Sequence, residues 1–196
     1  MAVAACWGSV ALAQVSELPP AVQTPVAVWQ GRVSWVSDGD TVWVTPLLGD
    51  ARKVRLLGID APEICQPHGP QAKTALETLV LGKRVTVEGQ QLDDYGRLLA
   101  RVFVTEAHHT PNAASPADVD HPGQQGDTPN RSLDVGRWLV QRGHAWAERF
   151  RQAPGRYGAD EQQARRLGLG LFAQSDAELP RTFRRRHGPC FEPTTR

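Results

Sequence analysis

Arg55-Leu56-Leu57-Gly58-Ile59-Asp60-Ala61-Pro62-Glu63, taken with the earlier Ser37-Asp38-Gly39-Asp40-Thr41, is the stretch on which the reading of this chain turns. An apolar run that begins at an arginine and ends in Asp-x-Pro-Glu reads as a strand that delivers charged groups to one place. Pro62 fixes its own φ and biases Ala61 towards an extended backbone, so the chain does not continue from Asp60 as helix. Asp60 and Glu63 are thereby held on a stiff bend. One carboxylate there can bind a metal while the other stays free to act as a base.

Working outward, the valine- and tryptophan-rich segment 26–36 reads as a first strand, 37–40 as a turn and the alternating 41–45 as a second strand, which makes a hairpin. The third strand is 53–59. Gly69-Pro70 then opens a helix with proline near its first position. Ala72, Ala75, Leu76 and Leu79 share one face of it, and Gly82 closes it. Segments 84–88 and 98–104 read as fourth and fifth strands around a turn at 93–97. Five antiparallel strands with a helix after the third predict an α+β fold, a five-stranded OB-fold β-barrel with about three α-helices. Ser132 is the expected N-cap of a second helix with Val135, Trp138 and Leu139 on one face and Gly143 at its end, and 145–147 is a packed extended segment. A third helix over 159–167 turns Ala164 and Leu167 inward, with Gly168 as terminator.

Beyond this framework the composition changes. Residues 1–25 read as a signal-peptide-like leader ending in Ala11-Leu12-Ala13-Gln14 followed by a Pro-rich linker, so the protein is expected to be exported, periplasmic or secreted. No stretch reaches the ~18 apolar residues of a membrane span, so no stable membrane insertion is expected. Segment 106–131 is rich in His, Pro, Asn, Asp and Gly and reads as a flexible loop inserted in a domain of 26–173; its His108, His109 and His121 leave a metal-binding alternative. Residues 174–196 form a basic C-terminal extension in which 181–186 either tracks phosphates or is a solvated tail. The formal net charge is only +1, so any affinity for a polyanion has to come from such local clusters.

Of three cysteines, Cys6 lies in the leader. Cys65 and Cys190 remain, an even number in an exported chain, and predict a disulfide between the tail and the bend. The rival reading joins Cys65 and His68 to His187 and Cys190 as a zinc set.

The three motifs Asp38-Gly39-Asp40-Thr41, Arg55-Leu56-x-x-x-Asp60-x-Pro62-Glu63 and Asp93-Asp94-Tyr95-Gly96-Arg97 together resemble the staphylococcal nuclease (thermonuclease) family in residue types, order and spacing. Gly170-Leu171-Phe172 is similar to the Gly-Leu-Trp that often ends that domain. The resemblance covers roughly residues 28–172 and implies an OB fold, a calcium ion, and cleavage of DNA and RNA to products with a 3′-phosphate. The residues suit that chemistry. Arg55 and Arg97 offer planar, paired donors to phosphate oxygens. Asp40 and Asp60 offer hard oxygen ligands to Ca²⁺, with the Ala61 carbonyl beside them, and Glu63 is the candidate general base. Tyr95 is placed to stack on or hydrogen-bond to the nucleotide. Each also has a structural alternative: Asp40 as a turn residue, Arg55 and Glu63 as an ion pair, Arg97 as a surface arginine, Tyr95 as core. The chain departs from the family pattern at Asp94, where a basic residue is common, and over 146–150, which lacks the tyrosine-rich pattern.

The expected protein is a monomeric, calcium-dependent nuclease that cuts both DNA and RNA, with single-stranded or fraying strands preferred. The alternative is a catalytically silent module of the same fold that binds nucleic acid or protein.

Overall fold

The computed structural model describes residues 27–105, 132–149, 155–188 and 190. The leader with Cys6, the 106–131 segment with its three histidines, and Phe150 lie outside the described residues. β1 (Ala27–Val36), β2 (Thr41–Pro46) and β3 (Arg52–Leu56) form an antiparallel meander. A two-residue β4 (Ile59–Asp60) and helix α1 (Gly69–Val80) follow, then β5 (Arg84–Leu92) and β6 (Leu98–Thr105). β5 pairs antiparallel with both β1 and β6, and β6 returns to β3 in a parallel pairing that sets Val54 opposite Leu98 and Leu56 opposite Ala100. The five strands close into the expected OB barrel.

Period-two alternation fills the barrel. Val42, Val44, Val54, Leu56, Val85, Val87 and Val102 point inward and are almost free of solvent contact. In β1 the register shifts between Val33 and Trp35, and the extra residue turns both Val33 and Val36 inward although they are three apart. α1 closes one side of the barrel with Ala72, Leu76 and Val80.

Several elements differ from the sequence reading. The third strand stops at Leu56, because Gly58 takes a φ of +84° and turns the chain out of the sheet. Ile59 and Asp60 pair instead with β8 (Trp146–Ala147). Ser132 is not an N-cap: it starts β7 (Ser132–Asp134), which pairs with β6. The cap of α2 (Val135–Gln141) is Asp134, whose carboxylate accepts from the Arg137 N–H at 3.1 Å. In α3 (Gly158–Arg166), Ala164 is buried as expected, whereas Leu167 is 59% exposed. Glu161 takes the inward position, accepting from the Ala147 N–H and from Arg149 and Arg165, so its buried charge is satisfied.

The segment after the short 3₁₀ turn Gly170–Ala173 contains a further helix, α4 (Pro180–His187), that packs Phe183 inward. Cys65 and Cys190 are joined by a disulfide with Cα atoms 5.7 Å apart. That bond removes both sulfurs from the alternative zinc set; His68 faces His144 and His187 packs on Phe183. Among the described residues no helix is long and apolar enough to cross a membrane.

The His68–His144 pair carries a pH prediction. Nε2 of His68 lies 3.2 Å from Nδ1 of His144, an arrangement in which one ring nitrogen donates and the other accepts. Burial lowers His144 from its ordinary 6.5 to about 4, helped by the neighbouring His68 and Arg142. Between those values the unfolded chain binds a proton that the folded chain refuses, so stability falls as pH drops from about 6.5 towards 4. Urea midpoints across that range should decline, and His144→Gln should flatten the decline.

Candidate active site

Arg55 leaves β3 opposite Thr41 of β2 and reaches between two carboxylates. Its Nη1 donates to Asp40 Oδ2 at 2.6 Å and its Nη2 to Asp60 Oδ1 at 3.3 Å. The suggested ion pair between Arg55 and Glu63 is therefore replaced by pairs with the aspartates. Asp40 is only 5% exposed and is fixed further by the Thr41 hydroxyl and the Ala61 N–H. It is more than a turn residue. Gly39 makes this approach possible: a Cβ there would stand 2.8 Å from the Ala61 methyl and 2.9 Å from that of Ala72.

Negative charge is crowded here. Burial, with the Asp40 carboxylate beside it, pushes Asp38 up to about 7. Burial and then Asp40 also raise Asp60 above the usual carboxylate range, with Arg55 partly opposing. Burial alone would lower the Arg55 guanidinium, but Asp40 and Asp60 more than reverse this and keep it charged.

Glu63 stands on the bend that Pro62 begins. Its N–H donates to the Gln66 side chain, its carbonyl accepts from the Gln66 N–H, and the Gly69 N–H donates to the Gln66 carbonyl. A Cβ at Gly69 would sit 1.9 Å from the Glu63 carbonyl oxygen, so any side chain there must displace the bend. With Glu63 as the candidate general base, Gly69→Ala should lower kcat about 100-fold, the order of loss that follows a displacement of roughly 1 Å at such a group. Steady-state kinetics beside a thermal melt would check that the loss exceeds any unfolding. The Glu63 carboxylate itself is ion-paired with Arg184 of α4.

Arg97 is aimed by its own turn. Asp93 Oδ1 accepts from the N–H groups of Tyr95 and Arg97, and Oδ2 accepts from Arg97 Nε at 2.7 Å. Asp93 thus uses Nε and not the terminal nitrogens of Arg97, whose side chain lines the same pocket as Arg55 and Glu63. Tyr95 is 84% exposed, with the Arg97 guanidinium 5.4 Å from its ring centroid, so it is not a core residue.

One open pocket of about 580 Å³ takes in Asp38, Asp40, Arg55, Ala61, Glu63, Tyr95 and Arg97, with Lys53 and Arg184 completing its wall. Asp60 adjoins it through Arg55. Sequence reasoning did not name Asp38 or Lys53 as site members and offered Arg184 only within the basic 181–186 run, as phosphate-tracking or solvated. Asp38 was visible inside Asp-Gly-Asp and Lys53 as the outward neighbour of Arg55 at period two, but nothing local singles out Arg184 within that run.

Residues 53–174 match the family described as Staphylococcal nuclease homologue. The chain belongs to the staphylococcal nuclease family. It is 32% identical to a protein named Micrococcal nuclease from Shigella flexneri, across 89% of this chain and 94% of that one. It is 31% identical to an uncharacterized endonuclease of Escherichia coli, over 80% and 85% of the two chains. A second uncharacterized endonuclease, from Haemophilus influenzae, is 30% identical over 79% and 72%.

A cation suits this staphylococcal nuclease-family site in one particular way. Among the described residues no group of three or more His, Cys, Asp and Glu side chains could hold a metal ion. The donors at hand are the Asp40 and Asp60 carboxylates and the Ala61 carbonyl, hard oxygens that leave most of a coordination shell to water. Oxygen donors of this kind are of the type that a divalent cation such as calcium accepts in a mixed, flexible shell.

Proposed function

We propose that this protein is a calcium-dependent nuclease that hydrolyses phosphodiester bonds of DNA and RNA, cutting within strands and leaving 3′-phosphates. The observation that carries the reading is the convergence of Asp40, Arg55, Glu63, Tyr95 and Arg97 on one pocket from separate segments of chain. A structural role for each residue alone would not require them to meet.

A phosphodiester is anionic and gains charge on its oxygens as water attacks, so fixed positive groups lower the barrier. Arg97, held through Nε, presents its terminal N–H groups to one phosphoryl oxygen. Arg55 has donors left beyond those used on the aspartates and serves a second. Glu63 takes the proton from the attacking water. The new P–O bond forms as the bond to the 5′-oxygen breaks, leaving the phosphate on the 3′ side. Calcium held by Asp40, Asp60 and the Ala61 carbonyl would add positive charge to the same phosphoryl group. Tyr95, exposed at the rim, stacks on the nucleotide.

The open pocket favours single-stranded or fraying substrate, since a strand must lie loosely to bring its backbone into it. The protein acts as a monomer in an exported setting, periplasmic or secreted, which suits the Cys65–Cys190 disulfide. Incubation with circular single-stranded DNA, in calcium and in chelator, followed by end-group analysis, tests the reading. Linear products ending in 3′-phosphate are expected only with calcium. Undiminished cutting in chelator would overturn the metal's part, and nucleic-acid binding without cleavage at any calcium concentration would overturn the enzyme.

A further inference from the structure

The run of arginines in α4 is not uniformly solvated. Arg186 pairs with Glu178 of its own segment, whereas Arg184 turns towards the barrel and pairs with Glu63, and its side chain stands in the wall of the pocket that holds Arg55 and Arg97. Its charge also bears on Asp60, lowering that carboxylate against the larger effects that raise it.

This position is secured from both ends of the helix. Before α4, the Gln66 side chain donates to the Glu178 carbonyl; after it, Cys190 is bonded to Cys65, two residues beyond Glu63. Between them Phe183, next to Arg184, is packed inward. A tail that only added solubility would need none of these ties. The hydrogen bond and the disulfide both run to the 63–66 bend, so the helix and the candidate base are positioned as one unit.

We infer that Arg184 is a third phosphate-contacting guanidinium of the active site, carried in by the C-terminal helix and held there by the disulfide. The inference rests on the proposed nuclease reading and adds to it a substrate-binding residue outside the three motifs. The guanidinium keeps N–H donors beyond the one used on Glu63, and its side chain is 43% exposed and lines the same pocket as Arg55 and Arg97, so a phosphodiester brought against those two enters a pocket that Arg184 also walls. Removing the tail, or its anchor, then removes a phosphate contact from a barrel that is otherwise intact.

The test uses the full chain and a fluorescein-labelled single-stranded oligothymidylate, read by anisotropy in chelator over a salt series. Arg184→Gln should weaken binding roughly tenfold and reduce the slope of log K against log salt by about 0.7, the value for one lost contact on a single strand. Arg184→Lys, which keeps the charge, should restore the slope. Reducing wild-type protein with dithiothreitol, which opens the bond to two thiols, should give the same loss, and the Arg184→Gln protein should not respond to it. Thermal melts report whether each variant is folded. In calcium, kcat/KM should fall roughly tenfold or more with Arg184→Gln. An unchanged salt slope, or faster cutting by Arg184→Gln, overturns the inference, the latter because it would make Arg184 a cover on the base. A wild-type protein that never cuts, but whose slope still depends on Arg184, would defeat the proposed hydrolysis and leave this contact standing.

Discussion

On the proposed mechanism Glu63→Gln should lower kcat by roughly a hundred- to ten-thousand-fold, the range expected when a general base is lost, while affinity for single-stranded DNA in chelator should change little. The amide keeps the shape of the carboxylate and can still meet Arg184, so the bend that Gln66 and Gly69 define should survive. What disappears is the ability to take a proton from water at neutral pH. Single-turnover cleavage with saturating enzyme separates the two effects. If the variant cuts at the wild-type rate, Glu63 serves only as the partner of Arg184, and another group must accept the proton.

Arg55→Gln has two large consequences with one origin. The guanidinium lies between Asp40 and Asp60, so its removal leaves two half-buried or buried carboxylates close together without the cation that bridges them. Breaking one side of such a buried pair costs about 3–5 kcal/mol, and urea denaturation in chelator should show a loss of that order. Catalysis suffers separately, because a fixed donor to the reacting phosphate is gone; kcat/KM should fall by roughly 10²–10³. Adding Asp40→Asn to Arg55→Gln should recover part of the stability and none of the activity. Recovery of both would mean that Arg55 only neutralises the aspartates.

The parts of the site written in contiguous residues were legible. Asp-Gly-Asp-Thr and Asp-x-Pro-Glu each set a tight backbone shape through glycine or proline, and Asp93 to Arg97 closes its own turn with side-chain to backbone bonds, so spacing alone predicts where the charges go. The barrel was legible for a similar reason, since inward valines recur at period two along most of its strands, the register shift in β1 being the exception. What escaped depends on partners far away in sequence. Ser132 lost its expected cap role because β6 offers a strand edge to pair with, and helix-capping rules do not see that edge. Leu167 did not take its expected inward place and Glu161 is buried instead, because the Ala147 N–H and two arginines make a buried carboxylate there acceptable. Arg184 lies 121 residues from Glu63, and in sequence it is indistinguishable from the other arginines around it.

The parallel pairing of β3 with β6 has a consequence for how activity is lost under stress. Arg55 belongs to one of these strands and Arg97 directly precedes the other, so the distance between these two arginines, the proposed phosphate contacts, is set by hydrogen bonds that join residues far apart in the chain. A partly opened barrel could keep every local turn and both arginines and still fail to grip one phosphate with them. Inactivation by mild denaturant should accordingly follow the exchange of amide protons in that seam, ahead of the protons buried elsewhere in the meander, and the enzyme's working limit would be the strength of its weakest suture.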